Sequence, residues 1–530
     1  MIKLYRVSVC ALVAALAGAA PVFAQGRGGA AWTTVSSDAQ RTAAIRTDPK
    51  ISVDSMQKPV FQFLWKRKLE TQPAQLNSLT QPLLLPNIIA YKGFKSLAFV
   101  GGSSDVVYSI DYDLNRMFWQ QKLSTTSKVP GTAACPGGLT AITRVTQVAP
   151  PAPAARGARG GGAGGGFGGG GRGPQIANGR GGNDNLFAIS SAGMVHIMNP
   201  QVGTDQIPPV KFLPANAKVV GSVLVNNVLY AATTGSCGGA ANGVWAVDLV
   251  SEAKTVTSWD AKGASMAGTT APTFGTDGTV YVATGGGSSP VANAIVSLEP
   301  KTLTQKNWFA AATPFVSNPI VFQYGKRDID ERDIVVAANS DGRLYVLDGG
   351  SLGGADHKTP AHKSSAFLGG TPENVGLATW QDSAGTRWIV ATSSGPVRAD
   401  TKFATTNGAV TKGAVAAFTV VADEKGAPSL SPQWVSRDLV SPVTPAVVNG
   451  VVFALASGES MDKGAAAQRA RRSAPAVLYA LDGATGKELW TSGTTITSFV
   501  HGIGPSAGDS QVYVVTYDGT LYAFGVPMER

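Results

Sequence analysis

One short pattern, repeated along the chain, limits what this sequence can fold into more than any other feature. A run of β-forming residues ends in an acidic residue, a tight turn follows, and a second run ends in Trp. The clearest copy reads Val477-Leu-Tyr-Ala-Leu-Asp-Gly-Ala-Thr-Gly-Lys-Glu-Leu-Trp490. Asp482 offers a carboxylate to the backbone N–H groups of the turn, and Gly486 can take a positive φ, so the stretch predicts a β-hairpin. Further copies are Val107-Tyr-Ser-Ile-Asp111 leading to Trp119, Val244-Trp-Ala-Val-Asp248 to Trp259, Ile295-Val-Ser-Leu-Glu299 to Trp308, and Val415-Ala-Ala-Phe418 to Trp434. Leu344-Tyr-Val-Leu-Asp348 lacks the Trp, Val195-His-Ile-Met198 is degenerate, and Leu521-Tyr-Ala-Phe524 ends the series with no second run after it. A recurrence every roughly 40–70 residues is the mark of a propeller or an array.

Each copy is preceded by another short strand, and most of those by a third. The unit is therefore three to four antiparallel strands, and about eight units fit the sequence. The expected fold is all-β: an eight-bladed β-propeller of four-stranded antiparallel blades. The last unit lacks an outer strand, while Gln62-Phe-Leu-Trp-Lys-Arg-Lys68 is a strand without a unit. Placing it beside 521–524 closes the ring by an N-terminal strand and leaves no open edge. The expected organisation is a signal peptide (1–24), an N-terminal leader (25–58) packed on the outside of the propeller with a short helix around 51–56, and the propeller itself (59–527). A Gly-rich insert, 149–183, interrupts the second blade; with almost nothing to bury, it is expected to be disordered.

The unit LYALDGATGKELW resembles the repeat of pyrroloquinoline quinone (PQQ)-binding-type propellers over roughly 60–526. That superfamily includes the eight-bladed quinoprotein alcohol dehydrogenases and non-catalytic relatives such as an outer-membrane-assembly propeller lipoprotein. The resemblance implies the fold, and it raises PQQ with calcium as a cofactor. Two segments bear on the cofactor. Tyr281-Val-Ala-Thr-Gly-Gly-Gly-Ser-Ser-Pro290 is similar to the family segment whose Asn after Thr-Gly ligates calcium, but Gly286 stands there, and a hard cation needs oxygen ligands. The family's nearby Gly-Asp-Asn element, source of the catalytic carboxylate, has no counterpart before Ile295. Ala338-Asn-Ser-Asp-Gly-Arg-Leu-Tyr-Val-Leu-Asp348 resembles the segment whose Lys or Arg contacts the quinone; Ser340 holds that position, and Arg343 falls on the other face of a strand. The resemblance thus implies a binding or scaffold module without standard PQQ catalysis. The alternative is a PQQ-dependent alcohol or sugar dehydrogenase with rearranged ligands; a third reading is a hydrolase or lyase acting on polysaccharide.

Strand order shows where a site belongs. In an up-and-down blade, the loops between second and third strands share a face with the connections between blades. The long loops of blades 3, 4, 6 and 7, among them 394–412 and 458–475, crowd that face. The candidate residues there are His501, Thr284, Asn339 and Arg398. His501, entering the first strand of blade 8, is placed to point at the central channel as a base, a ligand or a packing residue. No catalytic set and no metal set can be assigned. His357 and His362, five apart, lack the Cys or acidic neighbours of a zinc site.

The first 24 residues join a positive start (Lys3, Arg6), an apolar run and Val22-Phe-Ala24, which predicts export to the periplasm or beyond with cleavage after Ala24. Cleavage lowers the formal charge of +10 to about +8. For an exported chain this charge reads first as a solvated basic surface, and as a partner signal it favours acidic cell-surface polymer or anionic membrane over nucleic acid; the expected partner is a protein, an envelope polymer or a small molecule. No membrane span and a monomeric state are expected. The mature chain keeps two cysteines, Cys135 and Cys237. Strand order puts both on one face in adjacent blades, and an oxidising compartment predicts a Cys135–Cys237 disulfide.

Overall fold

Eight antiparallel sheets follow one another along the chain, one for each repeat, in a computed structural model of the protein. The structure describes residues 32–527 except 72, 74–75, 77, 91–92, 124–134, 136–140, 149–183, 327–328, 371 and 463. The Gly-rich insert lies outside the described residues. The fold is an eight-bladed β-propeller of four-stranded antiparallel blades. Blade 7 is typical: Pro442–Val448, Val451–Ala456, Val477–Asp482 and Glu488–Thr491 pair in chain order. Its second strand is buried throughout, because the faces of neighbouring blades cover both of its sides.

The repeat owes its signature to contacts between blades. Asp482 Oδ1 accepts from the backbone N–H groups of Ala484 and Thr485, at 2.8 and 3.2 Å, and so shapes the turn. Trp434 of blade 6 donates to the carbonyl of Gly483 in blade 7 at 2.9 Å. Its ring lies on Gly486, where φ is +73° and a Cβ would come within 2.4 Å of the indole. Trp119 of blade 1 repeats the contact on blade 2, donating to Pro200 with Gly203 beneath its ring. The Trp thus latches one blade onto the turn of the next, and the turn glycine is small because the ring needs its space. The sheet of blade 8 contains Ser506–Gly508, Gln511–Val515, Thr520–Gly525 and, outermost, Gln62–Lys68, whose register runs from Gln62 opposite Gly525 to Lys68 opposite Thr520. Trp65 of that outer strand donates to the Tyr112 carbonyl of blade 1 at 3.0 Å.

The leader departs from expectation. A short helix, Val53–Met56, does form, with a Ser52–Ser55 capping box. Residues 32–45, however, are not on the outside. They thread the centre of the ring, where Trp32, Ala39, Arg41 and Ala43 are buried. The physical reason is the inner edge of the blades: the N–H groups of the first strands face the channel and need acceptors, which the leader's carbonyls supply. Two further additions also lie outside the four-strand pattern. Ala44–Ile45 runs parallel to Val447 and Val448 in blade 7, and Thr405–Thr406, in the long loop of blade 6, runs parallel to Trp434 and Val435. The loop of blade 7 contains the helix Ala466–Arg472.

Candidate functional site

A recess of about 130 Å³ opens above the channel. Its wall comes from the connections into blades 4 to 8 and from the second-to-third-strand loops of blades 6 and 7, and its floor is Ser36 and Arg41 of the leader. This is the face on which strand order places the long loops.

The charged centre of the wall is Glu459, buried at the start of the blade 7 loop. Its Oε1 meets Nη2 of Arg469 and lies 2.8 Å from Nδ1 of His501. Three local features hold it there. Ser441 Oγ donates to the Glu459 carbonyl at 2.8 Å. The loop turns into the helix Ala466–Arg472, whose last turn presents Arg469, and Arg469 Nε also donates to the Ser460 carbonyl at 3.2 Å. Ser473 closes the helix by donating from Oγ to the Arg469 carbonyl at 2.8 Å, while that same Oγ accepts from Ser460 N–H. With Nδ1 engaged, Nε2 is the remaining polar atom of the His501 ring. Asn318, also on the wall and buried, has an Oδ1 with no hydrogen-bond partner among the described residues.

Arg41 on the floor has a different part. Nε donates to Pro272 O, Nη1 to Thr34 Oγ1 and Val35 O, and Nη2 to Ser222 O. Burial pushes its pKa down to about 9, against the opposing pull of Asp38, whose own carboxyl burial pushes up. Arg41 is a structural cation with its donors engaged by the protein.

Of the four face residues expected from sequence, the structure places only His501 on the recess. Thr284 is buried, and its Oγ1 donates to Val291 and Ala294 carbonyls of its own loop. Asn339 is buried as well, donating to Thr313 O and accepting from Asp341 N–H. Arg398 is at the surface, paired with Asp400 at 3.0 Å. Sequence reasoning missed Glu459; the signal was an acid ten residues before an arginine in one loop. His357 stacks on Trp308, with ring centroids 3.7 Å apart, and its Nδ1 donates to the Trp308 carbonyl at 3.0 Å. The disulfide Cys135–Cys237 is present, with a Cα separation of 5.5 Å.

PQQ with calcium does not fit the residues found. A Cβ on Gly286 would meet only Pro314 Cγ, at 3.6 Å, so there is room for a side chain where the sequence supplies no oxygen. Arg343 turns away to the Ser364 carbonyl, at 2.7 Å. The buried carboxylate of the recess is engaged by Arg469 and His501 rather than open to a cation. Among the described residues no group of three or more His, Cys, Asp or Glu is placed to hold a metal ion.

No family model and no curated protein matches the sequence. Solved structures do match. They include quinohemoprotein alcohol dehydrogenase from Comamonas testosteroni, at 14% identity and a TM-score of 0.53 over 94% of this chain and 81% of that one. A europium-containing methanol dehydrogenase matches at 11% identity and a TM-score of 0.53, over 94% and 98%. Quinohemoprotein alcohol dehydrogenase ADHIIG from Pseudomonas putida HK5 matches at 10% and 0.54, over 94% and 81%. At these identities the likeness is one of fold, and the fold is that of a quinoprotein-like eight-bladed β-propeller.

Proposed function

We propose that this chain is an exported propeller that works by binding a small polar ligand in the recess, and that it does not turn over through PQQ. The observation that carries the reading is Glu459: a buried carboxylate shared by Arg469 and His501 on the wall of an open recess. Buried ionised groups need partners, and a network of this kind fixes the geometry of the groups beside it. It holds the His501 ring in place with Nε2 left for a ligand, next to the hydroxyls and amides of the wall. Export agrees with the signal-like sequence of residues 1–24 and with a disulfide, which persists in oxidising compartments. No helix among the described residues is long and apolar enough to cross a membrane. The protein acts as a monomer with no nucleic-acid partner.

A quinoprotein oxidoreductase is the second reading, favoured by the fold likeness to the dehydrogenases. One experiment separates the two. Purified protein is incubated with PQQ and Ca²⁺, desalted, and assayed for quinone absorbance and for dye reduction with ethanol or glucose. The binding reading expects neither; dye reduction by the loaded protein would overturn it. Ligand-observed NMR with mixtures of small amines, carboxylic acids and sugars then tests the recess. Signals from wild type that vanish in Glu459→Gln support the assignment, and wild type silent to every mixture refutes it.

A further inference from the structure

We propose that the channel of this ring is a peptide-binding site, and that its resident ligand is the chain's own segment 32–45. The evidence is the order of the contacts. Carbonyls of the segment accept N–H groups from the first strands of successive blades: Trp32 from Leu84 in blade 1, Thr33 from Arg144 in blade 2, Ala39 from Phe274 in blade 4, Gln40 from Val321 in blade 5, Thr42 from Thr379 in blade 6, and Ala43 from Val447 in blade 7. These bonds span 2.8–3.1 Å. Blade 3 is reached through side chains, with Thr34 Oγ1 donating to Ser222 O at 2.7 Å. Blade 8 is reached through Gln81, which accepts from Trp32 Nε1 and from Ser36 N–H and donates to the Gly504 and Pro505 carbonyls. From blade 1 to blade 7 the segment therefore meets the blades in chain order, and blade 8 is bridged from its first residues.

This is recognition of a curled, turn-containing chain by strand edges turned inward: Ser36, Ser37, Arg41 and Ala43 take positive φ, and Ser37 and Ala43 bond back to Thr34 and Ser36 within the segment. Only Ala44 and Ile45 join a sheet as a strand. The rest of the segment is held as a ligand is held, by its carbonyls and by two anchors, Trp32 and Arg41. The carbonyl contacts accept any sequence. Arg41 reaches the Pro272 and Ser222 carbonyls of the ring and, within the segment, Val35 O and Thr34 Oγ1, and so sets the register, while the fully buried Ala39 and Ala43 favour small side chains. The ligand class is a peptide of small residues that curls through turns around the channel, with one arginine and an aromatic residue upstream of it. The assignment does not depend on the recess being a binding site, although Ser36 and Arg41 form the recess floor.

The tether between segment and ring passes through Arg46 and Thr47, both exposed. A protease site introduced there allows the folded full-length protein to be cut. The segment is expected to co-elute with the ring after cleavage and to exchange with excess fluorescent peptide of sequence 32–47. The same peptide carrying Arg41→Met is expected to compete at least about tenfold more weakly, since hydrogen bonds from a charged donor contribute about 1.5–3 kcal/mol. In uncut protein, the fluorescent wild-type peptide should bind an Arg41→Met chain, whose resident segment is weakened, and not the wild type. Loss of the segment from a ring that stays folded, unfolding on cleavage, or equal competition by a scrambled peptide would each overturn the proposal.

Discussion

Two histidine–carboxylate pairs in this molecule have nearly the same geometry and opposite settings. His196 Nδ1 lies 2.9 Å from Asp205 Oδ2, and His501 Nδ1 lies 2.8 Å from Glu459 Oε1. In the first pair the imidazole is 6% exposed and the carboxylate 30%; in the second the values are reversed, 30% and 6%. His196 sits within the strand Met194–Met198 of blade 2, and Asp205 ties the following loop back to it. That pair is packing. In the recess the buried member is the acid, it has Arg469 as a second partner, and the imidazole faces the cavity. The hydrogen bond is alike in the two pairs; the side from which water is excluded is what differs.

The comparison can be broken by substitution. The largest effect is expected from Glu459→Ala. Breaking a buried ion pair costs about 3–5 kcal/mol, and because Arg469 and His501 both reach solvent, a loss of about 2–3 kcal/mol is expected in urea unfolding. A change within about 0.5 kcal/mol, the usual range for surface positions, would show that the carboxylate is not locked in place. His196→Ala comes next, at about 1–2 kcal/mol, from the lost packing of a buried ring and from an acid left without its partner. If it proves more costly than Glu459→Ala, the assignment of roles is inverted.

A third carboxylate tests the same rule without a histidine. Asp113, in the turn after Val106–Asp111, has an Oδ1 with no hydrogen-bond partner among the described residues. Burial raises its pKa to about 6, and the nearby Asp509 and Asp111 push in the same direction. The folded pKa then lies above the unfolded value of about 3.9, so the folded state binds the proton more tightly. Stability should rise as pH falls from 7 through 6 towards 4, and that gain should be absent above pH 7. Asp113 is partly exposed, so solvent screening reduces the effect to about 1 kcal/mol. Asp113→Asn should remove this pH dependence in melts between pH 5 and 7.5, and an unchanged profile would assign it to other groups.

The blades were legible because their signals are carried by side chains. Asp482, Gly486 and Trp434 each do one job that few other residues can do, so the repeat shows in the sequence. The face that carries the recess was legible from strand order, and so was the disulfide. The segment 32–45 was not, because its contacts run through backbone carbonyls, which every residue has. Its many Thr, Ser, Ala and Gln residues, with Trp32 and Arg41 among them, read as surface when their partners are unknown. Thr284 and Asn339 misled for a related reason: short polar side chains bind backbone, Thr284 that of its own loop and Asn339 that of its own turn and of Thr313. Glu459 was hidden in a loop without periodicity, where nothing in the sequence shows that its carboxylate is buried.

The smallest expected effect on stability separates the two histidines most sharply. His501→Gln keeps a polar group of similar reach beside Glu459, and the site it alters is open to solvent. Arg469 continues to engage the carboxylate, so no buried charge is left alone. Stability should stay within about 0.5 kcal/mol of wild type, the range of substitutions that create neither a cavity nor an orphaned charge. The ligand signals seen by NMR should nevertheless be lost, because the imidazole Nε2 has no equivalent in glutamine. His196→Gln should do the reverse, lowering stability while leaving those signals intact, since its ring is closed off within blade 2. Ligand signals that survive His501→Gln would mean that the recess binds through other groups and that His501, like His196, is there to pack.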